Sequence, residues 1–252
     1  GMTTSFAGKI RFGLTLFPEA TGDACTQDAT VPIDVGDGNE TAIQTMLDAA
    51  LSESDPNYPA AGPCQTPIDA AIAQVAGDAT LTGDMDHAGY AVLITDGKQS
   101  KCDAFGGDDG TLAQIQALAA EGIDTFVVGF GDAVDAAELD LWANAGGVPA
   151  TGGQHAYYDA SDQASLDAVL QTIATKTLSC TFELGSAPPD PSKVYVFFDG
   201  TEVPRDPGHM DGWDYDGASD TVTLYGAACQ ELKDGDVVKT EIVYGCDQPP
   251  PH

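Results

Sequence analysis

The sequence predicts an α/β fold: a doubly wound, mostly parallel sheet up to about residue 178, then a small antiparallel β domain. Three observations carry this expectation. The uncharged runs Tyr90–Thr95 and Ile123–Val128 read as strands buried on both faces, as in parallel sheets. They alternate with helical periodicities as far as Leu178, which right-handed crossovers turn into a doubly wound sheet. After Cys180 no long helical pattern appears, and short strand-like runs broken by Asp199-Gly200 and Asp216-Gly217 indicate hairpins.

Taken in order, Lys9–Phe17 alternates and then turns apolar, so it reads as a strand stopped by Pro18. Val31–Val35 suits a short edge strand. Ile43, Met46, Leu47, Ala50 and Leu51 share one face of a helix over Glu40–Leu51. Pro56, Pro59 and Pro63 make 55–63 a loop. Ile68–Ala76 is helical, with Thr66 suited to the N-cap and Pro67 to the first helical position. The buried strand Tyr90–Thr95 ends in Asp96-Gly97, so a carboxylate stands at its C-terminal tip. In open α/β sheets ligands gather beyond such tips. A helix over Thr111–Ala120, the strand Ile123–Val128, a helix over Ala136–Ala145 closed by Gly146-Gly147, a strand at His155–Tyr158 and a helix over Ser165–Leu178 follow. Beyond lie strands at Thr181–Leu184, Val194–Phe198, Thr201–Val203, Thr221–Tyr225 and Val237–Tyr244. The domains are thus 1–178 and 179–247, with 248–252, which holds Pro249–Pro251, as a disordered tail.

Charge narrows the function. Forty acidic residues against nine basic give −31 over 252 residues. Such a chain repels phosphate backbones and anionic membranes, which excludes nucleic-acid binding. No apolar run approaches the roughly 20 residues that span a bilayer. Dense carboxylates suit solubility, divalent cations or basic partners. Six cysteines, Cys25, Cys64, Cys102, Cys180, Cys229 and Cys246, are scattered without a Cys-x-x-Cys pair. That disfavours zinc and favours disulfides in an oxidising, extracytoplasmic compartment. Connectivity stays open among 15 pairings. Some of Cys180, Cys229 and Cys246 are expected to staple the second domain. Because Cys102 and Cys64 both lie beside the strand-tip rim, a rim disulfide from Cys102 to Cys25 or Cys64 is expected there. GMTTSFAGKI lacks the features of a signal peptide, so an extracytoplasmic chain with this start is expected to be part of a longer one.

Enzyme motifs fail. There is no phosphate loop, nucleophile elbow or H-E-x-x-H. Gly129-Phe130-Gly131 precedes a helix, but Val134 stands where a dinucleotide loop needs its third glycine, leaving a tight turn. His87, His155, His209 and His252 lie apart, without ligand-pair spacing. Asp211, Asp214, Asp216 and Asp220 miss the EF-hand order and read as turn-forming acids.

One constellation remains: Thr66 opening a helix and Asp96 at a strand tip. Here the chain resembles the von Willebrand factor A-type (vWA) domain, a Rossmann-like fold. The resemblance rests on RFGLTLF (11–17), TPIDAAI (66–72), AVLITDG (91–97), IDTFVVGFG (123–131) and LDLWANAGG (139–147), across most of 9–178. It implies a non-catalytic adhesion module with a metal-ion-dependent adhesion site. Thr66 and Asp96 match that family's Thr and Asp ligands for Mg²⁺, Mn²⁺ or Ca²⁺. The family's Asp-x-Ser-x-Ser loop has no match: Asp159-Ala160-Ser161 lacks the second Ser, and Asp190-Pro191-Ser192 runs into Lys193. By this resemblance the domain lacks its first strand and helix, so the neighbours of that strand pair directly or another chain, such as a second copy, completes the sheet. Two donors alone hold Mg²⁺ weakly. The expected function is recognition of a protein ligand by a secreted or surface module. The alternatives are a structural surface protein with a degenerate metal site and a hydrolase using Asp96 with a histidine or threonine.

Overall fold

In a computed structural model the described residues are 2–18, 25, 27–52, 54–55, 66–84, 87–96, 98–99, 105–234, 237 and 239–245. Cys64, Cys102, Cys246, Gly97, the prolines of 55–63 and the tail 248–252 lie outside them, as does the rim disulfide expected of Cys102. The chain divides into two units, Gly1–Ala174 and Thr175–His252.

The first unit contains α1 (Met2–Ser5), β1 (Phe12–Leu14), β2 (Ile33–Gly36), α2 (Glu40–Ala50), α3 (Ile68–Ala76), α4 (Ala79–Thr82), β3 (Tyr90–Thr95), α5 (Gly107–Ala120), β4 (Asp124–Phe130), α6 (Ala136–Ala145) and β5 (Tyr158–Ala160). It ends within α7 (Gln163–Thr177). Strands β3, β4 and β5 pair in parallel, in that order, with Val92 opposite Phe126 and Ile94 opposite Val128. One apolar cluster joins Ile68 and Ile72 of α3, Leu93, Ile115, Leu118, Val127, Leu139 and Trp142. A second joins Phe126, Val128, Tyr158, Ala160 and Ile173, with Leu166 and Val169 of α7 packed against it. The strands are apolar throughout because helices cover both faces of β4.

The expected doubly wound, mostly parallel vWA-like sheet does not form. Among the described residues, parallel ladders are confined to three strands, and the other sheets are antiparallel. The run Lys9–Phe17, expected inside the parallel sheet, contributes only β1, which pairs antiparallel with β2 in a separate ladder. Parallel neighbours need a crossover of a dozen or more residues, usually helical. The described residues between β1 and β2 contain no helix. The strand read at His155–Tyr158 forms instead at β5, because Asp140 of α6 takes the backbone N–H of Ala156 at 2.6 Å.

The second unit contains β6 (Thr181–Glu183), β7 (Val194–Phe198), β8 (Thr201–Val203), β9 (Gly212–Asp216), β10 (Thr221–Tyr225), α8 (Gly226–Asp234) and β11 (Thr240–Tyr244). Two antiparallel sheets, β6-β10-β9 and β11-β7-β8, enclose Val194, Val196, Phe198, Trp213, Val222 and Leu224. Asp199 and Gly200 turn β7 into β8 with φ of 48° and 81°, the left-handed pair that a tight hairpin needs. The indole of Trp213 donates to the Val203 carbonyl at 2.8 Å, so its burial leaves no orphan donor. A disulfide joins Cys180, before β6, to Cys229 in α8, with Cα atoms 5.5 Å apart. Cys25 is disulfide-bonded as well, to a partner outside the described residues. No described helix is long and apolar enough to cross a membrane.

Candidate functional site

Parallel pairing sets the geometry of the site. Because β3 and β4 run together, with Thr95 opposite Gly129, their C-terminal ends emerge on the same rim. The loop after β3 leads to the start of α5, and the loop after β4 to the start of α6. The rim therefore carries two helix N-termini, which favour negative charge.

A third helix start is tied to this rim through Asp69, in the first turn of α3. Asp69 is 0 % exposed. Its Oδ1 accepts from the backbone of Ala70 at 2.8 Å and from Gln99 Nε2 at 2.9 Å. Its Oδ2 accepts from the backbone N–H groups of Phe105 at 2.8 Å and Gly107 at 3.0 Å. Gln99 answers by accepting from the Asp69 backbone at 3.1 Å. A buried carboxylate is tolerated only when its oxygens are met this fully. The clasp thus fixes Gln99, Phe105 and Gly107 against α3. Gly110 belongs to it, since a Cβ there would collide with the Phe105 carbonyl.

The two residues singled out in the sequence flank this clasp. Thr66 stands half-buried three residues before Asp69, and its carbonyl accepts from Ile68 at 3.0 Å. The cap position falls on Pro67, one residue later than expected, so α3 starts at Ile68. Asp96 is exposed, three residues before Gln99. The Asp69–Gln99 bonds therefore join the two segments that carry Thr66 and Asp96. Among the described residues, no group of three or more His, Cys, Asp or Glu side chains could hold a metal ion. Thr66 and Asp96 by themselves do not make a divalent-cation donor set.

The rest of the rim is acidic and wired. Lys98 Nζ donates to Asp135 Oδ2 at 2.7 Å, and Asp135 caps α6 by accepting from the backbone of Glu138 at 3.5 Å. The Lys98 bond leads the contacts that hold the Asp135 carboxyl below its ordinary range. Glu138 behaves oppositely. Partial burial, a hydrogen bond with Asp108 of α5 and the charges of Asp108 and Asp135 push it to about 7, against the pull of Lys98. Desolvation and neighbouring carboxylates both disfavour the charged form of Glu138.

The histidines are engaged elsewhere. His87 faces Asp84 at 3.1 Å, His155 faces Asp140 at 3.2 Å, and His209 faces Asp214 at 3.0 Å. His252 lies outside the described residues. No described histidine is bonded to Asp96, the arrangement that a hydrolase using this carboxylate requires. A cleft of roughly 220 Å³ beside α3 is lined by Ala29, Ala70, Ala73, Gln74 and Phe105, among other residues, with no histidine among its described lining residues. The acids read as turn formers bind protein donors. Asp211 accepts from Ala228, Asp216 from Ala218, Asp214 from Arg205 and His209, and Asp220 from the Tyr215 hydroxyl. Gly129 and Gly131 likewise serve packing and a turn: a Cβ at Gly129 would lie 2.7 Å from the Tyr157 ring, and Gly131 has φ of 82°.

No family model matches the sequence, and no curated protein does either. Similar solved structures include two of the pilus adhesin SpaC from Lactobacillus rhamnosus GG, one of them in an open conformation. In each, the match is 14 % identical, with a TM-score of 0.40, and covers 78 % of this chain and 30 % of that one. The chain therefore spans less than a third of the adhesin's length. A likeness of this degree carries no argument here.

Proposed function

We propose that the chain is a non-catalytic, extracytoplasmic binding module, a divergent relative of the vWA domains, and that the acidic rim beyond β3 and β4 faces a protein partner. The observation that carries this reading is the Asp69 clasp. It ties Gln99, Phe105 and Gly107 to α3 close to the exposed Asp96, the preorganisation that recognition rewards. Asp96 and Asp108 give the rim a negative field, so the partner presents basic side chains. The Cys180–Cys229 disulfide supports an oxidising compartment. The engagement of each described histidine with another acid supports binding over hydrolysis. With two oxygen donors in hand, the reading gives Mg²⁺, Mn²⁺ or Ca²⁺ no step.

The test is interferometry of the wild type and Asp96→Ala against immobilised extracellular-matrix and surface proteins, each with Mg²⁺ or with a chelator. The expected result is a ligand whose affinity falls about tenfold or more in a variant that melts like the wild type. A ligand held equally by the variant overturns the assignment of the rim.

A further inference from the structure

The cleft of roughly 220 Å³ beside α3 is shaped by the fold. Ala70 and Ala73 line it three residues apart on one face of α3, and neither side chain reaches beyond Cβ, which leaves the hollow. Phe105 lines it from the segment before α5, and Asp28 from the segment before β2. Both segments are tied to α3 by buried polar side chains. The Phe105 N–H donates to Asp69 Oδ2 at 2.8 Å. Gln74, 6 % exposed, donates from Nε2 to the carbonyls of Asp28 at 3.0 Å and Thr30 at 2.9 Å. Its Oε1 accepts from the Thr15 hydroxyl at 2.6 Å.

Size and lining restrict what enters. Sites for whole cofactors or drug-sized molecules run from about 300 Å³ upward, so this cleft takes a single side chain. Phe105 is 53 % exposed although its backbone is anchored, and a fixed, exposed aromatic is the kind of residue that anchors an interface. Ala29, Ala70 and Ala73 offer apolar contact to a long aliphatic stem. The charge among the described lining residues belongs to Asp28, an exposed acid, with Gln27 and Gln74 as its polar company. An aliphatic stem that ends in a planar cation satisfies all of these: methylenes on the alanines, a guanidinium against the phenyl ring and the carboxylate. The two arginines of these 252 residues are already engaged, Arg11 with Asp84 and Arg205 with Asp214. Neither this chain nor a second copy has one to spare.

We propose that this cleft is a specificity pocket for one arginine side chain of a different polypeptide, the anchor by which a protein partner is held. The proposal rests on the reading of the chain as a protein-binding module, but not on Asp96, which does not line the cleft. The rim supplies the field that draws a basic partner in, and the cleft distinguishes arginine from other cations.

The probe is N-acetyl-arginine N-methylamide, titrated into the isotope-labelled chain at about 0.15 M NaCl, which screens diffuse attraction to the acidic surface. Saturable amide shifts at residues 28, 29, 70, 73, 74 and 105 are expected, with a Kd on the order of 1 mM, as suits one side chain. The citrulline analogue, which keeps the shape and loses the charge, should bind about tenfold or more weakly, and the lysine analogue, which lacks the planar fork, should also bind more weakly. Ala73→Leu, which plugs the cleft and keeps helix propensity, and Phe105→Ala, which keeps the anchored N–H, should each weaken binding about tenfold while melting like the wild type. Asp96→Ala should hold the probe as the wild type does even where it loses a ligand of the rim, so the two sites fail separately. Shifts scattered over surface carboxylates, equal binding of either analogue, or full binding by a stably folded Ala73→Leu overturns the proposal. Loss of the probe from Asp96→Ala does so too, since the guanidinium would then sit on the rim.

Discussion

Asp69 shows how one side chain can organise a rim from below. Its oxygens, themselves buried, meet the N–H groups of Ala70, Phe105 and Gly107 and the Gln99 amide. Asp69→Ala strands those donors, and the loss of such a buried acceptor costs roughly 2–4 kcal/mol. Urea unfolding at pH 7 should register it as a lower midpoint with an unchanged slope; a loss below about 1 kcal/mol would mean that the loop is held by other contacts. Little of this was legible in the sequence. TPIDAAI announces a helix start, but two of the donors that hold Asp69 are the backbone N–H groups of Phe105 and Gly107, far along the chain, and a backbone N–H leaves no mark in a sequence. A signal was present all the same: a carboxylate flanked by Ile68, Ala70, Ala71 and Ile72 on an otherwise apolar helix demands partners. Thr66 and Asp96 stood out for their positions in a pattern, yet the residue that couples their segments lies between them and was passed over.

At the scale of elements, α5 and α6 bring Asp108 close to Glu138. The Glu138 carboxyl, ordinarily near 4.5, is raised to about 7 by its surroundings. The folded state therefore holds a proton that the unfolded chain has released. Its contribution is present below about pH 4.5 and is lost as the pH rises through about 7. Melting the wild type and Glu138→Gln at pH 5 and pH 8 should show a larger fall in the wild type, and parallel falls would contradict it. The elements themselves were legible to different degrees. Strands β3 and β4 announce themselves by uninterrupted apolar residues, since both faces are covered. Strand β9 does not, because Asp214 and Asp216 suggested a turn while pairing with β10 buries Gly212 and Trp213. Helix α8 was missed because it opens on Gly226, at φ 56°, and follows straight from β10.

For the molecule as a whole, charge and topology set the terms. Forty acids against nine bases leave self-repulsion throughout the chain. Raising NaCl from about 0.02 M to 0.5 M shortens the Debye length and should lift the melting temperature by roughly 3 °C or more. A melting point that falls or stays constant would mean that local ion pairs such as Lys98–Asp135 outweigh the net field. The fold class was legible only in part: alternating helices and strands are in the sequence, but the partner that each strand takes is not. Pairing is decided by connection length and by what lies between strands, and β1 turned to β2 rather than to β3.

The Cys180–Cys229 bond has a consequence for a chain under tension. It closes a loop with a sequence separation of 49 between the segment entering β6 and the middle of α8. A pull applied to the two ends of the second unit would pass from sulfur to sulfur and bypass β6, β7, β8, β9 and β10. Beyond Cys229 the described elements under load are the end of α8 and β11, and β11, paired with β7, would be stripped away. The bond would withhold roughly 170 Å of slack at about 3.5 Å per residue, so the unit would yield under load by shedding one strand while most of its interior stayed shut.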